Sequence, residues 1–335
     1  MGGLTPNTSY RMPAEWEPHQ ATWIAWPHES TDWPGKFHPI PWVYGDIVRH
    51  LARVEKVHIL VEGPAEERNA QRVLRKSGAR MQRVEFHHFP TNRGWCRDYC
   101  PIFVWNSAGQ SVITDWIFNG WAKYENHALD NDIPRQVAQC LALPRIEPGI
   151  VLEGGSIDVN GQGVLLTTEE CLLSPIQARN PSLTREDLEG IFARYLGIRE
   201  TIWLKRGIEG DDTHGHVDDI ARFVNLDTIV LVKDESEERV EENREVLRRT
   251  GYRVVELPMP APVYFDGQRL PASYANFYIA NRLVMVPTFN DPNDRVALQT
   301  LADLLPDREI IGIHCLDLVL GLGTLHCMTQ QQPLG

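Results

Sequence analysis

Gly321-Leu322-Gly323-Thr324-Leu325-His326-Cys327-Met328-Thr329-Gln330-Gln331-Gln332-Pro333 is the stretch on which the fold turns. Read alone, Gly321-x-Gly323 resembles the glycine turn of a dinucleotide-binding sheet. Such a turn must be followed by a helix and a second strand. Only twelve residues follow Gly323 in this sequence, so the dinucleotide reading fails. What remains is a glycine-rich turn presenting one cysteine. A cysteine becomes a strong nucleophile once its pKa falls, and exposed backbone N–H groups at a turn help to lower it. The usual reading of a lone cysteine is an inert core residue. Against it, the residues around Cys327 are polar or small and show no apolar period.

Polar clusters of the same kind recur upstream: Trp95-Cys96-Arg97-Asp98, Glu153-Gly154-Gly155, Gly215-His216-Val217-Asp218, Tyr274-Ala275-Asn276, and finally His326-Cys327. From Asp98 to Glu153, His216, Tyr274 and Cys327 the steps are 55, 63, 58 and 53 residues. Amphipathic periodicity predicts helices over Pro64–Arg75, Asn131–Leu141, Leu183–Tyr195, Glu237–Thr250 and Asn293–Leu305, starting 67, 52, 54 and 56 residues apart. Ser182 and Thr184 before the third helix, Gly197 and Gly251 after the third and fourth, and Pro306 after the last are helix punctuation. Short strand-like runs follow most helices: Arg83–Phe86, Thr201–Leu204, Arg253–Leu257 and Glu309–Ile313. Paired apolar runs such as Gly163–Leu166 and Thr228–Val232 come next. A repeated supersecondary unit explains this interval. About five such units in a ring would bring the five clusters to one axis. The competing reading is an ordinary alternation of helices and strands, which α/β proteins show at a similar spacing.

The chain has 335 residues, 42% hydrophobic and 23% charged, a globular composition. No Gly/Ser/Pro linker or low-complexity tract divides it, so a single domain over residues 1–335 is expected. A net charge of −12 argues against nucleic acid or an anionic membrane as a partner. No window approaches the roughly 18 apolar residues of a membrane span. The first residues carry no basic, apolar leader, and Pro6 stands where an N-myristoylation signal wants Ser or Thr. Cys96, Cys100, Cys140, Cys171, Cys315 and Cys327 are scattered and contain no CxxC pair. Reduced thiols in a cytoplasmic protein are the natural expectation. A homo-oligomer is compatible with all of this.

The clusters gather a thiol, an imidazole and several carboxylates. Cysteine with histidine makes a nucleophile and its acid–base partner. Carboxylates facing one another call for a cation. A guanidinium suits them, being planar with five donors in a fork. A thiolate beside a guanidinium so held is aimed at its central carbon, the geometry for removing ammonia by hydrolysis. A metal is the other cation to consider. His214-Gly215-His216 would put both imidazoles on one face of a strand, with Asp218 as a further ligand. No HExxH or CxxC completes that set, and the expectation is no metal and no cofactor. Trp16, Trp23, Trp26 and Trp33 read as core or turn packing. The charged helix over Glu237–Thr250 reads as a solvated face. Arg97 reads as a structural ion-pair partner. His326 would point away from Cys327 if that segment is extended.

Met12-Pro13-Ala14-Glu15-Trp16-Glu17-Pro18-His19, Trp95-x-Arg97-Asp98-x-x-Pro101, Glu153-Gly154-Gly155, Asp212-Thr213-x-Gly215-His216-Val217-Asp218 and Gly323-x-x-His326-Cys327-x-Thr329-Gln330-Gln331-x-Pro333 together resemble the Porphyromonas-type peptidyl-arginine deiminase family, the group that includes the agmatine deiminases. The resemblance runs from residue 12 to residue 333. It implies an α/β fold, the five-bladed α/β propeller (pentein fold) built of ββαβ-type units. It implies Cys327 as nucleophile, His216 as general acid and base, Asp98 and Asp218 as the guanidinium clamp, and Glu153 orienting His216. Trp95 and Asp212 are the further substrate-binding candidates. Asp212, with its neighbour Asp211, lies just before His216, where an acidic wall would favour a terminal ammonium over a carboxylate. Two positions depart from the family pattern: Cys100 stands in place of a glycine, and Leu322 interrupts the glycine run before the cysteine.

The implied reaction is conversion of agmatine to N-carbamoylputrescine and ammonia through a covalent amidino-thioether on Cys327, with a small cationic guanidine as the substrate. The peptidyl-arginine enzymes of the group are exported and carry extra domains, so a small free substrate is expected here. The alternatives are a deiminase of peptidyl or free arginine, a metal-dependent hydrolase using His214, His216 and Asp218, and a guanidine-binding protein without catalysis.

Overall fold

A computed structural model of the chain describes residues 9–233 and 237–334. Its strands fall into five small sheets and one short hairpin, and most of each sheet follows one plan. Ile102–Asn106 and Ser111–Thr114 pair antiparallel, a helix over Ile133–Leu141 crosses over, and Arg145–Ile146 joins in parallel. The same ββαβ order recurs with Asp158–Val159, Val164–Thr168, the helix Arg185–Leu196 and Glu200–Leu204. It recurs with Ala221–Phe223, Thr228–Lys233, the helix Glu237–Arg248 and Arg253–Pro258. A further copy uses Tyr278–Ala280, Leu283–Thr288, the helix Asn293–Leu304 and Glu309–His314.

The remaining sheet is assembled from both ends of the chain. Gln330–Pro333 pairs antiparallel with His19–Ala25, which is followed in parallel by Lys56–Leu60 and Val84–His87. The strand that follows Cys327 is therefore anchored beside one of the first strands of the chain. A hairpin helix crossing returns each chain segment in the parallel sense, which needs a crossover of a dozen or more residues. That requirement is the physical origin of the sequence period.

Several helix limits are set by the residues the sequence flagged. Thr184 accepts from the Asp187 N–H while the Asp187 carboxylate accepts from Thr184, a capping box at the start of Arg185–Leu196. Gly197 closes that helix at φ 73°, in the left-handed region open to glycine. The helix expected over Asn131–Leu141 is instead two: Ala128–Asn131, then Ile133–Leu141 with Pro134 in its first turn. Among the helices longer than one turn, Ile40–Leu51 had no sequence expectation. Pro39 just before it, Pro41 in its first turn and Gly45 obscure a buried stripe of Ile40, Tyr44, Ile47, Val48 and Leu51. A side chain at Gly45 would strike Ser77 on the neighbouring helix Pro64–Ser77, so glycine allows the two helices to pack closely.

Trp23, Trp26 and Trp33 are fully buried, as expected for packing residues. The polar loops at the ends of the five sheets are also buried: Asp98, Glu153, Ser156, His216, Asp218 and Asn276 are all at most 4% exposed. No helix among the described residues is long and apolar enough to cross a membrane.

Candidate active site

Five loops supply one side chain or more each to a single buried centre. Asp98 stands on the short helix Cys96–Tyr99, Glu153 before a turn of helix over Gly154–Ser156, and His216 before another over Val217–Asp219, which carries Asp218. Asn276 precedes Tyr278–Ala280, and Cys327 precedes Gln330–Pro333. The five clusters spaced along the sequence thus meet in space. Gly155 makes this convergence possible. A Cβ there would lie 2.6 Å from His216 Nδ1, 2.8 Å from Asp98 Oδ1 and 3.1 Å from Asp218 Oδ2. Its N–H also donates to Asp98 Oδ1 at 3.0 Å.

His216 Nδ1 lies 3.8 Å from Asp98 Oδ1 and 3.9 Å from Asp218 Oδ1, while Nε2 lies 3.9 Å from Glu153 Oε2. Neither ring nitrogen has a hydrogen-bond partner among the described residues, and the same holds for Asp218 Oδ1 and Glu153 Oε2. Buried polar atoms without partners are rare and mark a place built for something else to bind. Burial works against the charged form of His216, but the surrounding carboxylates, Asp98 first, outweigh it and hold the imidazolium well past its ordinary range. Burial also pushes Asp98 up, to about 6, with the Asp218 and Glu153 charges adding to the rise. Glu153 is buried as well, yet the Arg179 guanidinium 3.0 Å away and His216 bring it down to about 2.

Cys327 Sγ receives a hydrogen bond from Asn276 Nδ2 at 3.1 Å and lies 3.9 Å from Asp218 Oδ2. Burial, and then the Asp218, Asp219 and Asp98 carboxylates, raise the thiol well above its usual range. The free site therefore holds a thiol and an imidazolium among carboxylates. A cation bound among those carboxylates would neutralise them and lower the thiol's pKa.

The site opens into a cavity of about 620 Å³ lined by Trp95, Asp98, Trp121, Asp212, Leu322 and Cys327 among others. Trp95 is braced by Trp33, ring centroids 5.5 Å apart. Trp121 donates its indole N–H to Asp98 Oδ2 at 2.9 Å. At the mouth, Asp212 forms an ion pair with Lys123 and accepts from Tyr124 Oη at 2.8 Å. Its neighbour Asp211 turns inward, accepting from the backbone N–H groups of Thr213, Gly215 and His216. Asp211 is thus the residue that caps this loop.

The H-x-H pair is not on a strand. His214 is left-handed at φ 64°, and its Nε2 meets Ser174 Oγ at 3.2 Å. The proposed ligand set of His214, His216 and Asp218 is not assembled. Glu153, Cys171 and His216 do bring ligand atoms within 4.8 Å of one another. Arg179 already pairs with that Glu153 carboxylate in full burial, and its charge opposes a cation there. His326 lies in a turn rather than in the extended segment that would have pointed it away from Cys327, and it faces the Asp218 oxygen that Cys327 Sγ also approaches. Its Nδ1 meets Asp218 Oδ2 at 2.7 Å and its Nε2 meets Glu15 Oε2 at 2.8 Å.

The structure adds residues to which the sequence gave no role. Glu15, from the opening motif, is the hub of a buried ion network with Arg97 at 3.2 Å, Arg222 at 3.0 Å and His326. Burial raises its carboxyl, but Arg222, His326 and Arg97 together overcome that and hold it well below the usual range. Arg222 continues to Asp158 at 2.9 Å. Removing one member of such a network leaves a buried charge unpaired. Arg97 is the structural ion-pair partner expected of it. Glutamate and arginine are common, and nothing local in the sequence separates these from surface residues. The two departures from the family pattern also resolve. Cys100 sits at φ −68°, ψ 157°, a backbone open to any residue, so no glycine is needed. Leu322 sits at φ 68°, where a side chain is strained by about 1–2 kcal/mol, and it lines the cavity.

The model of the Porphyromonas-type peptidyl-arginine deiminases matches residues 11–333. A relative from Legionella pneumophila (strain Paris), whose name gives agmatine deiminase as a provisional assignment, is 34% identical over 97% of this chain and 95% of its own. Among solved structures, a cysteine-to-serine variant of the C. jejuni agmatine deiminase with substrate bound is 30% identical, covering 100% of this chain and 99% of that one, with a TM-score of 0.90. The agmatine deiminase of Enterococcus faecalis is 29% identical, covering 97% and 96%, with a TM-score of 0.89. The likeness to all three is of the whole chain, and the motif positions and the buried centre fall within it: the chain belongs to the Porphyromonas-type peptidyl-arginine deiminase family.

Proposed function

We propose that this protein hydrolyses agmatine to N-carbamoylputrescine and ammonia, with Cys327 as the covalent nucleophile. The observation that carries this is the unpartnered His216 imidazole flanked by Asp98 and Asp218 next to the Cys327 thiol, a site complete except for a planar cation. The agmatine deiminases among its relatives point to the same chemistry. The guanidinium lies between Asp98 and Asp218, and its charge lets the thiol ionise, the thiol proton leaving to solvent. The thiolate attacks the guanidinium carbon. His216, the imidazolium, gives its proton to the departing nitrogen, and ammonia leaves. The amidino-thioether on Cys327 is then attacked by a water whose proton goes to His216. Collapse expels the thiolate and frees the urea product. Glu153, fixed by Arg179, orients His216 and stabilises its charged form. No step in this scheme calls on a cofactor.

The tetramethylene chain of agmatine runs between Trp95 and Trp121 towards the mouth, where Asp212 faces the terminal ammonium. We also infer that the five ββαβ units form one domain, a five-bladed propeller with this centre on its axis. The recurrence of the unit and the meeting of its five loops support that arrangement. The test of the substrate is ammonia release measured side by side from agmatine, free arginine and an arginine peptide. Agmatine is expected to exceed the others in kcat/KM by at least ~100-fold. A better rate with arginine in either form overturns the assignment.

A further inference from the structure

A second cluster of titratable side chains lies away from the active site and rests on strand geometry. His58 is in Lys56–Leu60, and Glu85 and His87 are in the neighbouring parallel strand Val84–His87. His58 stands in register with Glu85, and His87 is two positions on, so all three side chains leave the same face of the sheet. On the other flank Trp23 is in register with His58. Its indole stacks on the His58 ring at 4.2 Å and 20° and lies 5.0 Å from the His87 ring. Both imidazoles are thereby held in place by one aromatic wall.

The polar atoms converge on one point. His58 Nδ1 and His87 Nε2 are 2.8 Å apart. Glu85 oxygens lie 3.9 Å from the first and 4.0 Å from the second. At His87 the other ring nitrogen, Nδ1, meets Cys140 Sγ at 3.6 Å. A partner on the far nitrogen is the usual way in which a ligating histidine is oriented. Two imidazole nitrogens this close cannot both carry a proton on the facing atoms, so at least one of them presents a lone pair to the centre of the cluster. The Glu85 side chain is half exposed, which gives an ion a way in from solvent. The Lys56 ammonium, 3.4 Å from Glu85, is an exposed contact that an ion would displace at little cost.

We propose that His58 Nδ1, His87 Nε2 and the Glu85 carboxylate form a binding site for a divalent cation of the zinc type, separate from the deiminating centre. Two neutral imidazoles and a carboxylate are a zinc donor set, with a solvent water as fourth ligand. Tetrahedral coordination sets the two nitrogens about 3.3 Å apart, so the rings open by roughly half an ångström on binding. Magnesium and calcium prefer all-oxygen sites and do not compete.

The test is a calorimetric titration of Zn2+ into the chelator-stripped, full-length protein, with excess Mg2+ present. One equivalent is expected to bind. Glu85→Gln and His87→Gln should each weaken it by ~10-fold or more, while ammonia release from agmatine stays within ~twofold of wild type. Glu85 is half exposed, so Glu85→Gln remains folded even where loss of His87 disturbs the core. Cys140→Ser should retain the equivalent, because its sulfur lies on the opposite ring nitrogen. Co2+ loaded in place of Zn2+ should show the visible absorption of a tetrahedral site. An affinity unchanged by Glu85→Gln overturns the proposal and leaves a histidine pair that only packs. Loss of the equivalent in Cys171→Ser overturns it too, since that would place the ion in the deiminating centre.

Discussion

Gly155→Ala is the smallest change that tests the geometry of the centre. The new methyl carbon would lie 2.6 Å from His216 Nδ1 and 2.8 Å from Asp98 Oδ1. Relaxed contacts for a methyl carbon are about 3.5 Å or more, so the imidazole and the carboxylate must each withdraw by close to 1 Å. Both are fully buried, and behind them stand Glu153 and Trp121. The overpacking should lower stability by ~1–3 kcal/mol, which leaves the protein folded. Catalysis should suffer far more, since a misplacement of about 1 Å costs ~100-fold in rate. The measurement is kcat/KM for agmatine by ammonia release, beside thermal unfolding of the same samples. A kcat/KM within ~threefold of wild type, in a folded variant, would show that the guanidinium does not sit between Asp98 and Asp218 beside His216.

Cys327→Ala should abolish turnover and leave the fold intact; ammonia release above a hundredth of wild type would remove Cys327 as nucleophile. Asp98 is held at about 6 in the free protein, and it must be ionised to bind the guanidinium. kcat/KM should therefore fall as pH drops through about 6. kcat, measured with the cation already bound and Asp98 drawn down by it, should stay level to lower pH; a kcat/KM flat from pH 8 to 5 contradicts this. Asp218→Asn should cost at least ~100-fold in kcat/KM, because it strips charge from both the guanidinium clamp and the His326 contact; unchanged kinetics would refute the clamp. Asp212→Asn should move the agmatine-to-arginine ratio by only ~2–5-fold, since Lys123 already pairs with that carboxylate at the surface; an unmoved ratio means that Asp212 does not read the distal end.

The sequence by itself determined the repeated unit. Helix caps such as Thr184 and Gly197 act over a few residues, and strand and helix periods are local, so the ββαβ order could be read along the chain. It also picked out the side chains that meet in the buried centre. Cys327, His216, Asp98, Asp218 and Glu153 sit in short motifs whose residue types have few other uses together. Where the local signal was mixed, the reading faltered: Ile40–Leu51 hides its apolar stripe among prolines and a glycine, and one expected helix is broken ahead of Pro134.

Tertiary structure alone decided what lies behind and in front of those groups. Glu15 is more than three hundred positions from His326 yet contacts its imidazole, and no local pattern distinguishes a glutamate at the centre of a buried network from one in water. Asp211 and Asp212 are adjacent and alike in sequence; the loop turns one inward to hold backbone N–H groups and leaves the other at the cavity mouth. The shifted ionisation of His216, Asp98 and Cys327 likewise belongs to no residue singly. It arises from burial together with charges brought from separate loops, and those distances exist only once the chain has folded.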